Sequence, residues 1–433
     1  MRSQTRQPDF RRLPPLTLLI VFLSSISAFA QQAEISVGLL RYFGNVTTLC
    51  VRGKSQITVS SRNPASGAAF SVRGAATFAA EGENIRISAE QLADTTLDCP
   101  VEVSSADLLS LNNGDGKWHS YKGVLLLDLN GRRIRVVNKI PIEDYLLGVL
   151  PAEMPAGFKE EALKAQAIAA RTYAYRGIGK HGSVGFDVCD GTHCQSYLGA
   201  DGEKQACTRA VQETAGMVLV NDTGFITPLY SADCGGRTRS GGTTYNCLTS
   251  VADAPEDSGE EFCANGANHT WTVKVTKTHL VAAISRTVRL PIQQIETVSL
   301  SAPGPDGRPE NLIVMADGKE WKIAGYALQK SFGNGTLRSP WLTAVSLDGE
   351  EVVFEGRGHG HGYGLCQIGA NGMASAPHNK AFTEILAHYY PGSQLTTIAE
   401  LPVAARPPTS KIAKTSPAPR RAPELPPLIL FEP

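Results

Sequence analysis

Neither sign of charge prevails in this chain: 41 Lys and Arg stand against 41 Asp and Glu in 433 residues. Without a basic excess there is no electrostatic footprint for nucleic acid, and a near-neutral surface suits an uncharged or mixed polymer such as sugar. Beyond residue 30 no apolar run is long enough to span a bilayer. A Gly-x-Ser-x-Gly nucleophile elbow in a strand–turn–helix context is also missing, which excludes a Ser/His/Asp esterase of that kind. What is present is 42% hydrophobic residues, with 42 Gly and 26 Pro. That composition describes a loop-rich globular protein with an ample core, and the length allows about two or three structural units.

The amino terminus carries Arg2, Arg6, Arg11 and Arg12, then an apolar run over 16–26, then Ala28-Phe29-Ala30. This is the pattern of a secretory signal peptide over residues 1–30; the run is short for a membrane span, and an uncleaved anchor is the alternative. Removing it takes four basic residues and one acidic one and leaves 37 basic against 40 acidic. The expected product is extracytoplasmic, in the periplasm or cell wall, with no membrane span after signal cleavage. In that compartment nine cysteines invite disulfides. Cys50 and Cys99 would pair most simply, and Cys247 and Cys263 could staple the acidic loop between them. The odd total leaves a thiol over, or a metal takes some. At the other end, residues 402–433 hold nine prolines and five basic residues. A Pro-rich tail over 401–433 is expected to be disordered.

Between these ends the pattern is α+β. Residues 31–120 read as a β-rich unit, with alternation at 34–39, 56–60 and 84–88. Two apolar strands, 121–129 and 132–140, flank Asn130-Gly131, a strong hairpin signal. A mixed core over 121–400 follows, with a smaller β/α unit inserted at about 271–350. In the core, 204–216 reads as a helix, 217–220 and 226–230 as strands, and 382–390 as a last helix. In the inserted unit, 280–288 reads as a helix and Asp317-Gly318 as a second hairpin turn.

The stretch 145–176 organises the rest. Glu153 stands between Pro151 and Pro155. Each proline fixes its own φ and pushes the residue before it out of the α region, so Glu153 is expected in a stiff non-helical segment. A helix follows, begun by Pro155 and rich in Ala from Glu161. Leu163, Ala167, Ala170 and Ala174 recur at helical spacing and mark a buried face, and Gly177 and Gly179 end the helix. The product is a rigid base with one acid at its amino-terminal end.

These residues resemble the stage II sporulation protein D / amidase-enhancer family. The match runs through Tyr145-Leu146, Gly148-Val149, Pro151-Ala152-Glu153-Met154-Pro155 and 161–173. The resemblance implies a peptidoglycan glycan-strand cleaver with Glu153 as its catalytic acid, and Arg171, inside the matching run, is expected among its substrate contacts. It continues in Gly360-His361-Gly362-x-Gly364-x-x-Gln367-x-Gly369-Ala370, although Leu365-Cys366 stands where most relatives carry Met-Ser. Cys366 then reads as a free buried thiol.

Two other constellations carry chemistry. Gly358-His359-Gly360-His361-Gly362 places two imidazoles at i, i+2, which on a strand would face one side. A sugar-groove wall, a metal pair and a glycine-rich turn with satisfied histidines are the readings. Cys189-x3-His193-Cys194 offers three zinc positions with the fourth unidentified. Some relatives bind zinc near here through a His just before the first Cys, where this chain has Asp187. A structural zinc and a Cys189–Cys194 disulfide both stay open. Gln195 and Tyr197 read as groove residues, an amide for hydroxyl or N-acetyl groups and a flat ring for a sugar face. Ser231 and Arg237 are aimed by the turn at Gly235-Gly236. With His359, His361 and Gln367 they complete the expected substrate contacts.

Ordinary glycosidases need two carboxylates. A lytic transglycosylase can use one, and no cofactor is required for that chemistry. The expected partner is a peptidoglycan glycan strand, already stripped of stem peptides. The alternative is a non-catalytic amidase enhancer that binds glycan and stimulates a cell-wall amidase.

Overall fold

Alternating apolar residues assemble an eleven-stranded sheet from the first strand onward. The computed structural model describes residues 33–63, 66–257, 259–333 and 335–402. The signal-peptide expectation and the tail beyond residue 402 fall outside the described residues. The strand Glu34–Gly38 lies between Arg133–Pro141, antiparallel, and Val188–Cys189, parallel. The first strand of the chain is thus tied to the cysteine loop 150 residues downstream, where the Leu40 amide donates to the Asp190 carboxylate.

The hairpin is Val124–Asn130 against Arg133–Pro141. Asn130 pairs with Arg133, so the loop is Gly131-Arg132, one residue on from the expected Asn130-Gly131. Gly131 takes the left-handed position, φ +63°, which costs it nothing without a Cβ. The second hairpin turns at Asp317-Gly318 as the sequence indicates, with both φ values positive.

The hairpin runs straight into a helix, Ile142–Glu153. Glu143 and Asp144 occupy its first turn, where the helix dipole favours them. Glu153 is therefore the last residue of a helix, not part of an extended segment. Pro151 is accommodated because it lies in the final turn, while Tyr145, Leu146, Val149 and Leu150 bury the helix against the core. Tertiary packing outweighs the local preference. Pro155 acts as expected on its neighbour: Met154 is extended (φ −139°, ψ 135°), and the helix stops just after Glu153.

A turn over 155–158 leads to the central helix, Glu160–Gly177, which starts later than Pro155. Leu163, Ala167, Ala170 and Ala174 are buried, and so are residues on most other faces. Four helices, Ile142–Glu153, Gln205–Glu213, Gln367–Ala374 and Phe382–Tyr389, pack around it with the strand Met217–Asn221. Alanine permits that crowding because its side chain ends at Cβ.

Gly148 shows how close the approach is. A Cβ there would meet the Gly199 carbonyl oxygen at 2.6 Å and the Tyr197 ring at 2.7 Å. Gly148→Ala gains about 1 kcal/mol in helix propensity, but overpacking against backbone costs roughly 1–3 kcal/mol. The expected outcome is a net loss of stability in urea unfolding, and a variant more stable than wild type would contradict this packing.

Residues 226–229 do not form the expected strand; Pro228 removes an amide there, and only the pairs Gly224–Phe225 and Tyr230–Ser231 remain. Tyr230–Ser231 runs parallel to Leu365–Cys366 and so joins two glycine-rich blocks. The inserted unit has its own core, centred on Leu280, Ile284, Leu312, Val314, Leu328, Val352 and Phe354. Two three-stranded sheets and the helices Lys277–Val288 and Gly325–Phe332 build it.

Candidate active site

Glu153 ends its helix in a nearly closed position, 2% exposed. The Ser196 backbone amide donates to its Oε1 at 2.5 Å. Burial pushes the carboxyl up to about 8, against smaller opposing effects from that amide and from the Arg41 guanidinium. At neutral pH the group is thus held protonated. Its own carbonyl accepts from Gln367 Nε2 at 2.9 Å, and the same Nε2 donates to Gln166 Oε1 at 3.3 Å. Gln367 is the first residue of the Gln367–Ala374 helix, so three helices converge on the end of the acid's segment.

The Ser196 amide is positioned by the loop 189–198. Cys194 donates to the Gly191 carbonyl, Tyr197 to the Asp190 carbonyl and Leu198 to the Gly148 carbonyl. Asp190 in turn accepts from the Leu40 and Arg41 amides, which brings Arg41 toward Glu153. One end of this loop is a cluster of His181, Cys189, His193 and Cys194, whose donor atoms all lie within 4.8 Å of one another. His181 Nε2 is 3.2 Å from Cys194 Sγ, and His193 Nδ1 is 3.5 Å from Cys194 Sγ and 3.8 Å from Cys189 Sγ. The Cys189 thiol hydrogen-bonds to Cys194 and pushes it down to about 6, with Lys180 assisting; Cys189 itself is pushed up to about 11. The two cysteines are unbonded thiols. Two thiols and two imidazoles make a complete tetrahedral zinc donor set. The missing fourth position is filled by His181, eight residues before Cys189, and not by Asp187. Asp187 is used elsewhere, accepting from the Ser36 and Gly179 amides at 2.8 Å each.

Several expected substrate contacts lie inside the protein. Gln195 is fully buried, donating to the Ala170 carbonyl and the Tyr230 hydroxyl and accepting from the Tyr145 hydroxyl. Tyr197 is 2% exposed, its hydroxyl on Asn138 Oδ1 at 2.9 Å and its ring against Tyr145. Neither offers a groove surface: the amide and the ring that suit a sugar by residue type are both spent in the core. Arg171 is 0% exposed, paired in a two-pronged fashion with Glu143 and donating to the Val211 and Met217 carbonyls. It locks the central helix to its neighbours.

The histidine block is not a strand. Gly358, Gly360, Gly362 and Gly364 all have positive φ, so the two imidazoles do not share a face. His361 is buried, accepts from the Tyr363 amide, and is pushed down to about 3, chiefly by burial. His359 is half-buried, and its backbone bridges to Asp233. Ser231 is buried beneath Gly360, while Arg237 lines a surface cleft with Arg239, Arg308 and Tyr326. Of the expected set, Gln367 is hydrogen-bonded directly to the Glu153 carbonyl. Sequence reading missed the Ser196 amide, Arg41, Asp190, His181 and Gln166. Only the identity of Gln166 inside the matching helix run, and a His within eight residues of Cys189, could have signalled any of them.

The remaining cysteines correct the disulfide expectations. Cys50 and Cys99 are unbonded, and Cys247 lies against the Thr227 carbonyl while Cys263 lies against Cys234.

The family model described as stage II sporulation protein matches residues 130–221. That span holds the second strand of the hairpin, the Glu153 helix, the central helix and the cysteine loop. An uncharacterized protein of Brachyspira hyodysenteriae is 31% identical over 273 residues, 63% of this chain and 71% of that protein. Stage II sporulation protein D of Bacillus subtilis is 28% identical over 279 residues, 60% of this chain and 76% of its own length. The amidase enhancer of Bacillus subtilis is 28% identical over 299 residues, and this chain spans only 40% of it. The chain belongs to the stage II sporulation protein D family. No helix among the described residues is long and apolar enough to cross a membrane.

Proposed function

We propose that this protein is a peptidoglycan lytic transglycosylase acting on peptide-stripped glycan strands outside the cytoplasm, with Glu153 as its one catalytic residue. The observation that carries the reading is a buried carboxyl that keeps its proton to about pH 8 while a backbone amide fixes one oxygen. Such a group suits protonation of the leaving glycosidic oxygen. Once ionised, it takes the proton from the muramyl C6 hydroxyl as that oxygen closes on C1, giving a 1,6-anhydro end. The substrate's N-acetyl group supports the cation between the two events. The Ser196 amide then serves both states, since an amide bonds the ionised oxygen at least as well. Gln367 and Gln166 fix the backbone from which the acid projects. The activity test is incubation with peptide-free glycan strands and mass analysis of the ends.

His181, Cys189, His193 and Cys194 would hold a structural zinc ion. With four protein ligands it supplies a cross-link and no open position for chemistry. The cross-link would sit two residues from the Ser196 amide. Cys194→Ser is therefore expected to release about one equivalent of metal and to lower the rate without changing the products. A metal-free wild type with a Cys189–Cys194 bond in peptide maps would overturn this assignment.

The amidase-enhancer relative favours a second reading, in which the chain binds glycan and stimulates a cell-wall amidase. Under that reading Glu153 is dispensable for stimulation.

A further inference from the structure

The Gly235-Gly236 turn, the acidic loop and the start of the Gln367–Ala374 helix meet at a point the proposed chemistry does not use. Cys234, Cys263, Cys366 and Asp253 converge there, each 2% exposed or less, with all four donor atoms within 4.8 Å of one another. We propose that these four side chains form a second structural zinc site, with three thiolates and one carboxylate oxygen as ligands.

The geometry fits. Zinc–sulfur bonds of about 2.3 Å at tetrahedral angles separate two sulfurs by about 3.8 Å. Cys234 Sγ and Cys263 Sγ are 3.8 Å apart. A disulfide between them would leave Asp253 Oδ2 buried and unpartnered. Asp253 Oδ2 is buried with no hydrogen-bond partner, while Oδ1 accepts from the Tyr389 hydroxyl. An unpartnered buried carboxylate oxygen carries a substantial cost, on the order of 1–3 kcal/mol or more. A cation at the centre of the four removes it. The other groups around the site suit ionised sulfur. The Cys234 and Gly369 amides donate to Cys366 Sγ at 3.2 and 3.3 Å, the second from the first turn of the helix that Cys366 caps. Three thiolates with one oxygen select a borderline-soft divalent ion, hence zinc over calcium or magnesium.

Asp233 and His269 adjoin the four and share Cys263 with them as a further donor set; Asp233 Oδ2 and His269 Nδ1 are buried without a hydrogen-bond partner, while their other atoms are engaged. Asp233 Oδ1 accepts from the Gly235 amide at 2.8 Å and lies 3.4 Å from His269 Nδ1, and His269 Nε2 is 2.7 Å from Glu261. They belong to the surrounding shell.

The site has a clear mechanical consequence. Asp253 and Cys263 stand at the two ends of the acidic loop, where the Phe262 amide donates to the Asp253 carbonyl. Cys366 directly precedes Gln367, which bonds the Glu153 carbonyl. Zinc there would pin the loop and the Glu153 support to one point. Binding releases the ligands' protons to solvent, and because the four ligands meet only in the folded chain, the metal is taken up as the chain folds.

The test uses the purified full chain. Cys194→Ser, which disables the other cluster, should retain about one zinc per chain, and adding Cys263→Ser should abolish it. Cobalt loaded into Cys194→Ser should show the intense thiolate-to-metal absorption of a three-sulfur tetrahedral site. Zinc-edge absorption on the unmodified chain needs no variant to fold: it should count more sulfur than nitrogen ligands. A single zinc with equal sulfur and nitrogen overturns the proposal. So does a folded, metal-free Cys194→Ser chain, whether Cys234 is found bonded to Cys263 or all three thiols are free.

Discussion

Glu153→Gln is expected to lower the rate of glycan cleavage by about 100- to 10,000-fold, the usual cost of losing a positioned general acid. The fold should survive. A Gln oxygen can still accept the Ser196 amide, and the bond from Gln367 goes to the backbone of residue 153. The same substitution should change stability in a pH-dependent way. An unfolded Glu titrates near roughly 4.3, whereas burial holds Glu153 at about 8. Between those values the folded chain binds the proton more tightly than the unfolded one, so stability falls as pH rises through the window and is lowest above pH 8. Gln carries no charge to desolvate. The variant should therefore melt above wild type at pH 9 and close to it at pH 4, as thermal melts at the two pH values would read. Wild-type cleavage should also fall as pH rises through about 8, the acid being lost. Near wild-type cleavage by the variant would remove Glu153 as the catalytic acid.

Arg171→Ala is the variant with the largest expected effect on stability. Arg171 Nε and Nη2 reach the two Glu143 oxygens at 2.7 and 2.8 Å, and the guanidinium also serves the Val211 and Met217 carbonyls. Removing one partner of a buried pair typically costs 3–5 kcal/mol, about a third of an ordinary domain's stability or more. Glu143 keeps 22% of its side chain exposed, and the Gly216 amide still donates to it. The loss should accordingly fall toward the lower end, about 3 kcal/mol. Urea unfolding checks this. A substrate contact would behave differently, with KM raised and the unfolding midpoint unchanged; that result would return Arg171 to the binding surface.

Legibility followed the range of the forces involved. Asp317-Gly318 and the Ala face of the central helix are local facts, and the residues alone decide them. The Glu153 segment was half legible: Pro155 ends the helix as its own ring requires, but the helix through Pro151 depends on Tyr145, Leu146 and Val149 being buried by distant elements. Tyr197 and Gln195 misled because residue type does not report burial; next to a motif, an amide and an aromatic ring look the same whether they face sugar or Asn138 and Tyr230. The two cysteine clusters divide in the same manner. Cys189, His193 and Cys194 advertise themselves by spacing, and His181 joins them only because the 181–187 turn folds back. Cys234 and Cys366 are 132 positions apart and meet through the pairing of Tyr230–Ser231 with Leu365–Cys366.

The central claim is that one buried acid cuts glycan without adding water. Its most direct test is mass analysis of the ends made by the full chain from peptide-free glycan strands. The expected products are 1,6-anhydro-muramyl ends, each one water lighter than a hydrolysed reducing end. Hydrolysed ends alone, or intact strands after exhaustive incubation, would contradict it.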